Sequence, residues 1–182
     1  MSELAWATLG TPVGRLSVAC SQVGLSQIRF GAPPGAARRS DAPSGGRAHD
    51  LSGAVLTQLS EYFAGQRHRF DLPIDWSVTS RLQQQVLWTL FDSVGYGETV
   101  SYGRLARLAV VSGFGASVPA RAIGRIMGSN PIPVVVPCHR VVAADGLGGY
   151  SGGTGPETKR WLLTLEGALP PTLDWDAASS RA

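Results

Sequence analysis

The sequence predicts an α+β protein in two parts: a small N-terminal domain of strands and a helix over residues 1–78, then a mainly helical domain over 79–167, with 168–182 as a tail. Three observations carry this. Residues 8–30 alternate apolar and polar positions about a turn-like Val23-Gly24-Leu25, as a hairpin or meander does. Val55, Leu56, Leu59 and Phe63 recur at helical spacing. Beyond Ser80 the alternation stops, and three helical segments follow with irregular breaks between them.

In chain order, Leu16-Ser17-Val18-Ala19-Cys20 reads as one strand and residues 25–30 as the next. Cys20, at a strand end, reads as a small core residue. Residues 31–50 are rich in Gly, Ala, Pro and Arg without periodicity, so a long mobile loop is expected. A helix over 51–63 stops at Gly65, and residues 70–74 are expected to form another short strand. In the second half Leu82, Val86, Leu87 and Leu90 share one side of a helix that Gly95-Tyr96-Gly97 ends. Ser101 caps a second helix, from Tyr102 to about Ala109. A Gly- and Ser-rich connection over 111–117 leads to a third, from Pro119 to about Gly128, stopped by Asn130-Pro131. Two consecutive helices joined this way suggest a helix-turn-helix unit.

The chain has 16 Lys and Arg against 13 Asp and Glu, a formal net charge of +3. That surplus permits an anionic partner without demanding one. It sits in residues 81–166, with 8 basic and 5 acidic side chains, whereas residues 1–80 carry 7 and 6. Lys159 is the only lysine, and arginine suits planar, bidentate contacts better. Neither Cys20 nor Cys138 has metal-ligand spacing around it, so no metal is expected, and no cofactor. No leader pattern and no run of membrane-spanning length is seen, so a cytoplasmic protein with free thiols and no membrane partner is expected.

On a helix at about 100° per residue, Val118, Ala122, Ile123, Ile126 and Met127 fall on one face. Ala120, Gly124 and Gly128 fall together on the opposite face, flanked by Arg121 and Arg125. Each helical glycine costs about 1 kcal/mol relative to alanine. The stripe makes sense if something approaches the backbone closely. One reading is another helix; the other is a nucleic-acid backbone with the arginines at its rim, and the arginines favour the second.

The most informative stretch runs from Asn130 to Val142. Val134-Val135-Val136 is an apolar run bounded by Pro133 and Pro137, and it delivers Cys138 followed by His139 and Arg140. Cationic neighbours lower a thiol pKa and raise the thiolate fraction. In an extended segment neighbouring residues point to opposite faces, so His139 would reach the sulfur only through a water. Read from the residues alone, the chain also fits a helix-turn-helix regulator or a cysteine hydrolase.

Pro137-Cys138-His139-Arg140-Val141 resembles the active-site signature of the O6-alkylguanine-DNA alkyltransferases, the methylated-DNA–protein-cysteine methyltransferase family. Arg121-Ala122-Ile123-Gly124 and Asn130-Pro131 stand before it in that family's order, Ser101-Tyr102 resembles its first DNA-domain helix, and Gly148-Gly149-Tyr150-Ser151-Gly152-Gly153 its following loop. Trp161-Leu162-Leu163 and Leu165-Glu166-Gly167 resemble its last helix, and Tyr62-Phe63-Ala64-Gly65 its N-terminal domain. Coverage is roughly residues 4–167. Gly95 replaces the usual proline, and the connection from Ala106 to Arg121 is several residues longer than typical.

The resemblance implies a ribonuclease H-like N-terminal domain and a winged-helix-like C-terminal one. It implies single-turnover DNA repair, with an alkyl group moving from O6-alkylguanine, or O4-alkylthymine, to Cys138. His139 would act through a water, Glu166 would orient it, Asn130 would hold the turn, and Tyr102 would assist the leaving base. Tyr150, Ser151 and Val136 would line the base pocket, with Lys159 supporting the loop. Ala120, Gly124, Gly128, Arg121, Arg125 and Ser101 would meet double-stranded DNA in its minor groove, Arg121 filling the gap left by a flipped nucleotide. A monomer is expected in solution, with cooperative binding on DNA left open.

Overall fold

The computed structural model describes residues 4–33, 46–111 and 118–171. Strands β1 (Ala5–Thr11), β2 (Gly14–Cys20) and β3 (Leu25–Phe30) form an antiparallel meander in that order. The central strand is buried from Leu16 to Cys20 because α1 (Arg47–Phe63) lies across it. Ala48, Ser52, Val55, Leu59 and Tyr62 are buried along α1, at the three- and four-residue spacing of one helix face. Cys20 is a buried core residue, as its strand position predicts.

Two expectations need correction here. The helix begins at Arg47, inside the stretch 31–50 expected to be loop; residues 34–45 of that stretch lie outside the described residues. The polar run Arg47-Ala48-His49-Asp50 hid the start, yet Ala48 opens the buried face. Residues 70–74 form no strand; only Ile74 bridges β3, at Leu25. Asp75 takes over there, accepting hydrogen bonds from Ser21 Oγ and the Ser77 amide and turning the chain.

The second half comprises α2 (Arg81–Ser93), α3 (Tyr102–Val111), α4 (Ala120–Gly128) and α5 (Pro156–Leu165), with short strands β4 (Val100–Ser101) and β5 (Val141–Val142). Ser101 caps α3, its Oγ accepting from the Arg104 amide at 3.2 Å. The connection 112–117 between α3 and α4 lies outside the described residues, as does 172–182 of the tail. β4 and β5 pair in parallel, Val100 beside Val141 and Ser101 beside Val142. That pairing ties the start of α3, and so Tyr102, to the segment just after Cys138. The core is continuous: Leu16 and Leu59 belong to the same apolar cluster as Leu90, Ile123, Val136 and Leu162. One backbone bond makes the same link, the Ile28 amide of β3 donating to the Pro131 carbonyl at 2.8 Å. No described helix is long and apolar enough to cross a membrane.

Candidate active site

The valine run ahead of Cys138 does not form a strand. Val134 has a φ of 73°, a left-handed conformation that a β-branched residue adopts only under constraint, at about 1–3 kcal/mol. Asn130 supplies the constraint. Its Nδ2 donates to the Val136 carbonyl at 2.9 Å, and its Oδ1 accepts from the Ile132 amide at 3.0 Å. The turn thus formed sends Cys138, His139 and Arg140 into one 3-10 turn. This corrects the expectation of an extended segment: burial of the valines favours a strand, but Pro133, Pro137 and the Asn130 bridge deny it a ladder.

The turn sends the three side chains apart. Among the described residues Cys138 borders cavities of about 360 and 210 Å³. The smaller is also lined by Tyr102, Gly124, Met127, Gly128 and Tyr150, so it leads from α4 to the sulfur. Ile28, Phe30, Pro133, Tyr150 and Gly152 border the larger one. A third cavity, about 380 Å³, opens behind Arg140 and does not reach the thiol.

His139 is fully buried, and its Nε2 lies 2.7 Å from Glu166 Oε1. An ionised carboxylate only accepts, so Nε2 carries the hydrogen and Nδ1 keeps the lone pair. Nδ1 is buried and has no hydrogen-bond partner among the described residues. Arg140 grips the same carboxylate, Nε to Oε2 at 2.9 Å and Nη2 to Oε1 at 3.0 Å, while Nη1 donates to the Val94 carbonyl. Tyr62 Oη, from α1, donates to Glu166 Oε1 at 2.6 Å.

Burial raises the Glu166 carboxyl, but the hydrogen bonds and charges of His139 and Arg140 outweigh it and hold the group at about 2. Burial lowers His139, and Glu166 opposes that shift. Burial raises Cys138; the Asn130 side chain, the Lys159 charge and Tyr150 pull it back. The expectation that Arg140 activates the thiol is therefore replaced: its charge is spent on Glu166, and Lys159 is the cation that acts on sulfur. Lys159, fully buried, donates Nζ to the carbonyls of Val141 at 2.6 Å and Gly149 at 3.1 Å, tying the loop after the cysteine to β5. Burial lowers its ammonium to about 8, with the Cys138 charge opposing.

Tyr150 Oη is buried without a well-formed hydrogen bond among the described residues, yet it sits close enough to Cys138 for each to shift the other. Burial and the Cys138 charge raise Tyr102. Ser151 Oγ donates to the Gly128 carbonyl at 3.1 Å, joining the loop to the end of α4. Val136 is buried, its carbonyl accepting from Asn130 and the Cys138 amide, and it borders neither thiol cavity. Ala120, Arg121, Gly124, Arg125 and Gly128 are exposed, while Ile123, Ile126 and Met127 are buried. A methyl group built on Gly124 or Gly128 would meet nothing within 4 Å, so no described helix packs on the stripe. Ser101, by contrast, is occupied as the α3 cap.

Sequence reasoning missed Tyr62 and the clamp role of Arg140. It also missed Phe30, whose ring edge faces Tyr150 at 6.4 Å and which would collide with a side chain at Gly152. The Tyr62-Phe63 signature pointed to a domain, and nothing in it pointed to a carboxylate 104 residues away.

The carboxyl and imidazole shifts set a pH dependence of stability. Glu166 lies below its ordinary 4.5, so the stability it contributes is present above that value and lost as pH falls toward 2. His139 lies below its ordinary 6.5, so the unfolded chain takes up its proton first as pH falls through that value. Both effects have the same sign. Denaturant midpoints should fall steadily between pH 6.5 and 2; equal midpoints at the two ends would contradict the buried His139–Glu166 assignment.

Fold and site together define a two-domain protein that presents one buried thiol behind an exposed small-residue helix. Comparison with known proteins places that class. Residues 4–76 match the ribonuclease-like domain of 6-O-methylguanine DNA methyltransferase, and residues 81–168 match its DNA-binding domain. A methylated-DNA–protein-cysteine methyltransferase of Mycolicibacterium paratuberculosis is 38% identical over 164 residues, covering 90% of this chain and 92% of that one. The crystal structure of Mycobacterium tuberculosis O6-methylguanine methyltransferase superposes with a TM-score of 0.72 at 37% identity, over 94% of this chain and 98% of that one. The same organism's OGT in complex with DNA superposes at 0.71, over 90% and 93%. The chain belongs to the methylated-DNA–protein-cysteine methyltransferase family of DNA-repair enzymes and carries that family's α+β architecture and DNA-binding domain.

Proposed function

We propose that the protein repairs DNA by moving an alkyl group from O6-alkylguanine to Cys138, once per molecule. One observation carries the reading: the cavity that ends at Cys138 opens beside Gly124 and Gly128, the small residues exposed on α4. A duplex lying against that stripe, in its minor groove, would present a base to the thiol only if the base swings out of the stack. Arg121 then fills the vacated space, and Arg125 meets the backbone. Tyr150 and Ser151 border the cavity that receives the base.

The chemistry follows from the tautomer. Nδ1 of His139, free to accept, takes the Cys138 proton through a water, and Glu166 stabilises the imidazolium that results. Sulfur attacks the alkyl carbon; the S–C bond forms, the C–O6 bond breaks, and its electron pair leaves with the guanine. Tyr102 donates a hydrogen bond or proton to the departing base. The thioether is stable, so the reaction stops there, unlike a hydrolase cycle. O4-alkylthymine, with the same alkyl–oxygen bond, is a second substrate of the same pocket.

Incubating the protein with a duplex holding one O6-methylguanine tests this. Repaired duplex should plateau at one mole per mole of protein, with none formed by Cys138→Ser. Continued turnover past that plateau would contradict the reading.

A further inference from the structure

Tyr62 stands apart from the thiol cavities. It lies on α1, is 1% exposed, and its ring meets Phe63 and Tyr96 edge-on. Its hydroxyl nevertheless ends on the oxygen that His139 uses. Glu166 Oε1 has Tyr62 Oη at 2.6 Å, His139 Nε2 at 2.7 Å and Arg140 Nη2 at 3.0 Å. Burial and the Glu166 charge push the Tyr62 phenol well above its usual range, so it remains a donor wherever the relay works. Three donors on one oxygen share its charge, and each weakens the hold of the others.

We propose that Tyr62 is a positioning residue for alkyl transfer: its hydroxyl fixes the Glu166 carboxylate and takes part of its charge, so a residue of the N-terminal domain sets how readily His139 accepts the Cys138 proton. This rests on the reading of Cys138 as alkyl acceptor. The other groups facing this couple are Arg140 from the same 3-10 turn, Tyr96 and the Gly97 amide from the loop after α2, and Lys159 from α5. Tyr96 Oη is committed to the Leu165 carbonyl at 3.0 Å, so it makes a control at the same domain junction.

The test is the single-turnover rate of methyl transfer as a function of pH for wild type, Tyr62→Phe and Tyr96→Phe. Without the Tyr62 hydroxyl, Oε1 holds the His139 proton more tightly, and the imidazole must be neutral to act. Tyr62→Phe should move the acidic limb to higher pH and slow transfer roughly 10-fold on that limb. Tyr96→Phe should keep the wild-type limb. A ring-fluorinated tyrosine at position 62, a stronger donor, should move the limb to lower pH, and it decides the matter if the phenylalanine variant does not fold. The ¹⁵N resonances of His139 should report the same opposite shifts without DNA. Unchanged limbs and unchanged His139 titration in both Tyr62 variants would overturn the proposal. An inactive wild type would overturn the functional reading instead, leaving the resonance measurement to judge Tyr62.

Discussion

Glu166→Gln is expected to cost about 3–5 kcal/mol of folding stability and to slow methyl transfer by roughly 100-fold. The carboxylate is fully buried and is the shared acceptor for Tyr62, His139 and Arg140. An amide keeps one acceptor oxygen; with that oxygen in the Oε1 position, its NH2 faces Arg140 Nε, which can only donate. Arg140, itself 6% exposed, is then a buried cation with no counter-charge, which is the large part of the stability loss. His139 loses the negative charge that stabilises its imidazolium, which is the large part of the rate loss. Chemical denaturation and single-turnover assays on the same preparation separate the two. A stability loss under about 1 kcal/mol would mean that the pair behaves like a surface salt bridge, against the burial described above.

Gly124→Leu is expected to act with opposite signs on stability and binding. Position 124 is on an exposed helix face with open space beyond it. Replacing a helical glycine with a good helix former should leave the fold intact or raise its stability by up to about 1 kcal/mol. The same side chain would stand between α4 and a duplex backbone and narrow the approach to the thiol cavity. Affinity for duplex DNA should fall at least roughly 30-fold, the scale of a hot-spot contact. Alkylation of Cys138 by a small free electrophile, which needs no duplex on α4, should persist. Unchanged DNA affinity in a folded Gly124→Leu variant would remove α4 from the interface.

What the sequence disclosed and what it hid divide along physical lines. α2, α3 and α4 were legible because their apolar residues recur at helical spacing, and the exposed Ala120, Gly124 and Gly128 stripe follows from the same arithmetic. The first turn of α1 was not, because Arg47, His49 and Asp50 mask the apolar signal before Leu51. The turn at Val134 was not, because a valine run reads as a strand until the two Asn130 hydrogen bonds are known. Lys159 could be assigned to the loop after the cysteine only by resemblance; its burial and its bond to Gly149 give that assignment a physical basis. Arg140 and Tyr62 converge on Glu166 from 26 and 104 residues away, and such convergence leaves no local pattern. Tertiary packing decided these positions, and periodicity does not encode it.

The most direct measurement is the mass of the peptide containing Cys138 after exposure to duplex DNA with one O6-methylguanine. Alkyl transfer predicts that this peptide gains one methyl in place of the thiol proton, in proportion to the methyl lost from DNA, while the peptide containing Cys20 is unchanged. Folded protein that binds the duplex and yields an unmodified Cys138 peptide, or places the methyl on another residue, would contradict it.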